Sequence, residues 1–350
     1  MVRIYRILIH VFSVLFLFPA FLQAQVAYST AGHATLQTAT LENIMLLQNM
    51  RNSQYYCPGV QTWFTGYGAG GYTAGESRWR YPWVEQTNEA KLHQGIGGFL
   101  LGGDKFLSED LRAGFFFSYN NTHLENATPD NSPLLDNNVW ETVNTNNYFW
   151  GGYWRKNLPL GYFLGSMMGG YSHLNDKMEG TYENIEGKSD AWRALVYGEL
   201  GTEFQFLHTT LQPFWGLQYY YNAYDAAEVG NEFIRYTFGE LETNSLRNII
   251  GLRLSQKFYD VGRGYITFDM LAFWYHEFLD FNNIGNMDIA LTGQTPFLNY
   301  TGIDTGRDWA ILAPTLEWQI GGLRLWAGYI VLFNLDETIQ LGQGGIAYCW

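Results

Sequence analysis

Beyond its first twenty residues the chain holds no apolar run able to cross a bilayer as a helix. The longest, Trp326 to Phe333, is eight residues, against the ~18 that a span needs. Cysteine is nearly absent, with two in 350 residues, too few for a disulfide-built scaffold or a structural zinc site. Basic residues are scarce: 20 Lys and Arg against 33 Asp and Glu leave a net charge of −13. Without basic patches there is no electrostatic grip on nucleic acid. Charged residues reach only 15%, low for a soluble domain. No loop carries the calcium-ligand order D-x-[DN]-x-[DN]-G, so no metal ligand and no cofactor is assigned. His123, His173 and His276 are the histidines placed for surface chemistry, but no serine or paired aspartate stands in a catalytic relation to them. No catalytic residue is assigned, and the chain is not expected to be an enzyme.

What is abundant is equally telling. Aromatics make up 18%, hydrophobic residues 47%, and glycine accounts for 39 of the 350 positions. Apolar content of this order without a span suits a chain that turns one residue in two toward lipid. A bilayer admits only helices and closed sheets, so this implies a barrel. The front of the chain is separate: Arg3 and Arg6 precede the apolar run Ile7 to Phe18, and Pro19 and Ala24 follow. A positive head, a short apolar core and a small-residue exit read as a secretory signal peptide over residues 1–24, cleaved before Gln25.

From Gln61 onward twelve segments carry a strand pattern, at about 61–71, 92–103, 111–124, 145–156, 160–174, 190–206, 209–222, 245–258, 264–278, 308–320, 322–333 and 337–350. Each is long enough for a tilted crossing of ~9–11 residues. In the third, Leu111, Ala113, Phe115, Phe117 and Tyr119 oppose Arg112, Gly114, Ser118 and Asn120. In the eighth, Leu246, Ile250, Leu252, Leu254 and Phe258 oppose Arg247, Gly251, Arg253, Ser255 and Lys257. Connections alternate: 72–91, 125–144, 175–189, 223–244 and 279–307 are long and polar, those between them short. Short periplasmic turns and long external loops on a twelve-stranded antiparallel transmembrane barrel predict this alternation. The first three long loops hold eleven acids, from Glu76 to Glu186, which read as a solvated rim.

Ahead of the first strand, Leu41, Ile44, Met45 and Gln48 fall at helical spacing, with a threonine as cap and Glu42 in the first turn. This predicts a short helix over about 38–52. At the other end Ile346, Tyr348 and Trp350 alternate with Gly345, Ala347 and Cys349, as in a lipid-facing final strand.

Several stretches together resemble the autotransporter β-domain, the translocator of type V secretion, over roughly residues 61–350. They are Ile266-Thr267-Phe268-Asp269 with Trp274-Tyr275-His276-Glu277-Phe278, Gly306-Arg307-Asp308-Trp309-Ala310-Ile311-Leu312, Gly322 to Tyr329, Gly97 to Asp104 with Leu111 to Gly114, and the aromatic terminus. The resemblance implies a twelve-stranded barrel with a helix in its pore, in the bacterial outer membrane. It also implies that Ile346, Tyr348 and Trp350 act as the signal read by the barrel-assembly machinery. Residues 25–60 are then a short N-terminal segment with the pore helix, far shorter than a usual exported passenger.

In such a barrel Arg112, Arg155, Arg193, Glu199, Glu203, Arg247, Arg253, Lys257, Asp269, Glu317 and Arg324 take pore-facing parity. They either line a hydrated lumen or hold the helix and keep the pore shut. Folding the ninth strand on the eighth brings Arg253 near Asp269, a cross-strand ion pair worth ~0.2–1 kcal/mol. The first and last strands become neighbours, which makes a Cys57–Cys349 disulfide across the seam one expectation and separate thiols the other. The function expected is an outer-membrane barrel of translocator type without a sizeable passenger, structural, surface-exposed or a residual translocator, its cargo unknown. The alternative is a channel for small solutes. Outer-membrane lipid is the surrounding partner in either case.

Overall fold

The computed structural model describes residues 30–48, 50, 57, 59–80, 85–126, 140–179, 184–230, 235–238, 240–260, 264–279, 284–290, 297–301 and 306–350. The leader read over 1–24 lies outside them. One helix, α1 (residues 30–48, with Met50 also helical), precedes seventeen strands. They are β1 (Val60–Arg80), β2 (Glu85–Ser108), β3 (Leu111–Asn126), β4 (Trp140–Leu158), β5 (Gly161–Glu179), β6 (Asn184–Gly201), β7 (Phe204–Phe206), β8 (Thr209–Tyr224), β9 (Ala227–Gly230), β10 (Arg235–Phe238), β11 (Leu241–Asp260), β12 (Gly264–Glu277), β13 (Ile284–Ala290), β14 (Phe297–Thr301), β15 (Asp308–Ile320), β16 (Leu323–Phe333) and β17 (Glu337–Cys349).

Twelve of these close into an antiparallel barrel in the order β1-β2-β3-β4-β5-β6-β8-β11-β12-β15-β16-β17. The ring shuts where β1 pairs with β17, from Gln61↔Cys349 to Thr73↔Glu337. Alternation sorts the side chains. In β8, Gln212, Phe214, Gln218 and Tyr220 are buried inward, while Trp215, Leu217 and Tyr219 face out. The outward residues meet hydrocarbon, and the inward ones fill the lumen.

The strands run further than their sequence pattern suggests. β1 and β2 pair without a break from Val60↔Lys105 to Arg80↔Glu85, so the expected loop 72–91 is mostly a hairpin standing above the membrane. The expected loop 223–244 contains β9 and β10, and 279–307 contains β13 and β14. These short strands carry the wall outward, β9 pairing with β6 and β10, β10 with β13, β13 with β14 and β14 with the tip of β1. The physical reason is that a ladder registered in lipid needs no apolar residues to continue into water; backbone pairing alone carries it. The expected strand 190–206 instead divides: β6 ends at Gly201 and the short β7 forms a hairpin with β8 through the turn Leu207–His208. Leu207 takes φ 56°, a left-handed conformation that costs a branched side chain about 1–2 kcal/mol.

Helix α1 is already formed at Thr30, eight residues before the expected position. Thr38, read as a possible cap, is inside it, its hydroxyl donating to the Ala34 carbonyl at 2.8 Å; Thr40 does the same to Leu36 at 2.8 Å. A helix buried on all sides has no apolar stripe to mark its first turns, so periodicity found only the later ones.

Cys57 and Cys349 are joined as a disulfide with Cα atoms 5.7 Å apart, across 292 residues of sequence. It sits at the periplasmic end of the β1/β17 seam, where Trp350 N also bonds Val60 O at 3.0 Å. Reduction of the bond, or Cys57→Ser, is expected to lower barrel stability by about 2–4 kcal/mol. The measurement is the urea midpoint of the heat-modifiable gel band in detergent micelles. An unchanged midpoint would mean the seam holds without the bond.

Candidate functional site: a pore filled by its own helix

At ~1.5 Å per residue the nineteen continuous residues of α1 span about 28 Å, comparable to the ~25 Å apolar band of an outer-membrane barrel. Residues 30–47 are all buried. The helix is polar in its outer half, with His33, Thr35, Gln37, Thr38, Thr40, Glu42 and Asn43. In its inner half Ile44, Met45, Leu46, Leu47 and Met50 pack into the core with Trp63, Phe116, Tyr153 and Trp326.

Buried polar groups need partners, and the wall supplies them side by side. At the outer mouth His33 Nε2 lies 2.7 Å from Glu337 Oε2, and Thr73 donates to Glu337 Oε1 at 3.0 Å. His33 also lies against the Trp309 ring, centroids 5.7 Å apart. Tyr275 donates to Gln37 Oε1 at 3.1 Å, and Gln218 Nε2 to Thr40 Oγ1 at 3.0 Å. Ser166 donates to Asn43 Oδ1 at 2.6 Å.

Glu42 is the helix's one acid in this stretch and its most constrained side chain. Its Oε1 accepts from the Tyr67 hydroxyl at 2.5 Å, the Ser118 hydroxyl at 2.5 Å and the Asn120 amide at 3.0 Å. Arg193 supplies the nearby positive charge. That guanidinium is itself held by Asn222, Asn147 and Tyr224 at 3.1, 2.6 and 2.9 Å.

Nine of the eleven charges given pore-facing parity are buried, Glu203 and Lys257 being partly exposed, and they divide into two sets. Arg247 and Arg155 grip the helix. Arg247 Nη1 donates to Thr40 Oγ1 at 2.9 Å while its Nε pairs with fully buried Glu277 at 3.1 Å. Arg155 Nη1 donates to the Met50 carbonyl at 3.0 Å, placing a cation toward the C-terminal, negative side of the helix dipole. The others brace the wall. Arg253 pairs with Asp269 at 2.6 Å, diagonally, since Ser255 stands opposite Asp269 in the register. Glu199 accepts from Tyr162 at 2.8 Å and from Tyr197. Glu203 meets Arg155 and Gln212, Lys257 lies over the Tyr265 ring, and Arg324 stands 3.9 Å from Glu317. Arg112 is clamped by Asp104 at 2.6 Å and Gln61 at 2.8 Å.

Sequence parity alone does not single out Glu337, Glu277 and Asp104, which the pattern puts at strand ends or in a turn. Asp104 shares inward parity with buried Leu100 once β2 is extended to Ser108, while Glu277 and Glu337 stand at the ends of strands already expected there and share the parity of buried Tyr275 and Ile339. The same kind of extension corrects the acidic rim: Glu141 and Asp176 are buried at inward positions rather than solvated. Asp130, Asp136 and Glu183 lie outside the described residues. Ile346, Tyr348 and Trp350 face outward, with Trp350 Nε1 donating to Thr62 at 3.0 Å. Among the described residues no group of three or more His, Cys, Asp or Glu could hold a metal ion.

A family model described as the autotransporter β-domain matches residues 63–330. The fold is similar to the translocator domain of NalP from Neisseria meningitidis, with a TM-score of 0.67 and 16% identity over 93% of this chain and 99% of that one. It is also similar to the transport unit of AIDA-I from Escherichia coli, at a TM-score of 0.56 and 16% identity, covering 85% and 92%. The β domain of the Bordetella autotransporter BrkA gives a TM-score of 0.51 at 13% identity, covering 82% and 99%. No curated protein matches the sequence.

Removing one partner of a buried ion pair strands the other charge, at about 3–5 kcal/mol. Glu277→Gln should therefore destabilise the barrel by that order in urea titrations followed by tryptophan fluorescence. The double change Glu277→Gln with Arg247→Met should recover part of the loss. A double variant no more stable than the single one would show that Arg247 does not depend on Glu277.

Proposed function

The chain belongs to the autotransporter β-domain family, and from that premise we propose that it works as a closed translocator barrel of the bacterial outer membrane, its own helix serving as the plug. The observation that carries this is the burial of α1 along its length, with the polar outer half matched by the wall residue for residue. A lumen lined to bind solutes would leave its polar groups to water. Here Tyr67, Ser118, Asn120 and Arg247 are committed to the helix.

The barrel is assigned no catalytic step, and its role is structural and surface-exposed, or that of a residual translocator. Ile346, Tyr348 and Trp350 are the assembly signal offered to the barrel-assembly machinery, since they form an outward, apolar edge at the end of β17. The competing role is an open channel for small solutes. It would need a continuous water path past α1, and the apolar inner half of the helix opposes one. The crevice there, between Met45, Gln48, Arg253, Asp269, Thr315 and Glu317, has room on the order of one water, about 20 Å³.

In planar bilayers the intact chain is expected to show a closed baseline, and deletion of residues 30–50 a steady open current. Steady current from the intact chain, unchanged by the deletion, would establish the channel instead.

A further inference from the structure

The lipid-facing wall between β3 and β6 is indented. Register places Phe115, Gly152, Met167 and Val196 in one row across the four strands, and Trp150, Gly169 and Ala194 in the next. All have outward parity. Phe115 is 80% exposed, Met167 55% and Trp150 48%, so large side chains stand around small ones and flank an open groove of about 630 Å³. That volume lies within the ~300–1,000 Å³ of ordinary ligand pockets, and its outward lining carries no charged side chain.

The glycines that form the floor answer no local demand. Neither takes a positive φ. A methyl placed on Gly152 would come no nearer than 3.6 Å to another atom, and on Gly169 no nearer than 3.9 Å, both ordinary contacts. Glycine inside a strand is unfavourable, so the dent is a feature of the surface and not a by-product of the backbone.

We propose that this groove is a subsite for one acyl chain of a phospholipid in the periplasmic leaflet. The occupant follows from position and charge. The groove is continuous with the apolar face that lies in the membrane. On the same face of β4, four residues nearer the periplasm, half-exposed Lys156 is ion-paired with Asp110 of the adjoining turn, and its ammonium keeps further N–H donors for a phosphate oxygen. Its hydrogen bond holds the Asp110 carboxyl below the usual carboxylate range. Four residues of strand cover roughly 13 Å at ~3.3 Å each. A phospholipid with its phosphate at the level of Lys156 therefore carries its chain upward into the groove. The aromatic walls, Phe115 and Trp150, then pack along the chain, which fills a space that loose annular lipid would leave partly empty.

The experiment uses the full chain in liposomes containing phosphatidylethanolamine with a photoreactive diazirine in one acyl chain. Adducts should concentrate several-fold on peptides bearing Phe115, Trp150 and Met167, relative to the opposite lipid face at Leu312 and Leu316. Gly152→Trp with Gly169→Leu should abolish the enrichment while leaving the heat-modifiable band intact; if that variant does not fold, the comparison of faces in the unmodified chain decides. Equal labelling of both faces overturns the proposal. So does ready disulfide formation between copies carrying Met167→Cys, which would make a second barrel the occupant.

Discussion

Backbone hydrogen bonds have no partner in hydrocarbon except one another, and the rest of this molecule follows from satisfying them in a ring. The pairing of β1 with β17 is the step that removes the last open edge. Once the ring is closed, period-two alternation assigns every second side chain to lipid and every other to the lumen. Trp215, Leu217 and Tyr219 are then as much a consequence of closure as Gln212 and Gln218 on the reverse of the same strand. A ring of twelve strands encloses more space than the inward side chains of β8 or β11 fill alone, and the helix occupies the remainder.

Filling the lumen with a helix creates a second demand. The inward wall is polar because it cannot all be apolar without losing the sidedness that keeps the barrel in register. Any occupant must therefore satisfy buried polar groups or leave them costly. The helix meets this with hydroxyls and amides, and with a single acid in its middle. Glu42 illustrates the economy: one carboxylate oxygen gathers donors from β1 and β3, and Arg193 on β6 balances the charge. Arg155 completes the arrangement at the inner end by donating to the Met50 carbonyl. Pairings within the wall, such as Arg112 with Asp104 and Arg253 with Asp269, help to set the shape into which the helix fits.

The sequence made the barrel legible because two signals repeat: alternation within segments and the alternation of loop length between them. Both survive without knowledge of any contact. Parity alone also placed Arg247, Arg253 and Asp269 inward. What it could not supply was how far the wall continues beyond the membrane. Glu337 and Glu277 stand at strand ends beside polar loops and read as solvated, whereas neighbouring strands run on past them and keep them inside. The helix was only half visible for a related reason. Its first turns, Thr30 to Gln37, read as a small polar stretch, and the partners that make them helical, Tyr224, Tyr275 and Glu337, come from strands nearly two hundred residues away or more. Their pairing is a property of the closed ring and is absent from any local window.

Closure and plugging are consequently one problem. The lipid side of the seam offers little side-chain packing, since Gly66, Gly68 and Gly70 on β1 face Gly344, Gly342 and Gln340 on β17. Backbone bonds hold its length, but its two ends are secured differently. At the periplasmic end the Cys57–Cys349 bond ties the approach to β1 onto the last strand. At the outer end Thr73 of β1 donates to Glu337 of β17, and the other oxygen of Glu337 is engaged by His33 of the helix. The helix therefore shares the residue that fastens the outer seam. A barrel without it would lose that contact at the end of the seam furthest from the disulfide. The same carboxylate that joins the first strand to the last thus also joins the helix to both, which makes the helix part of the way this ring stays shut.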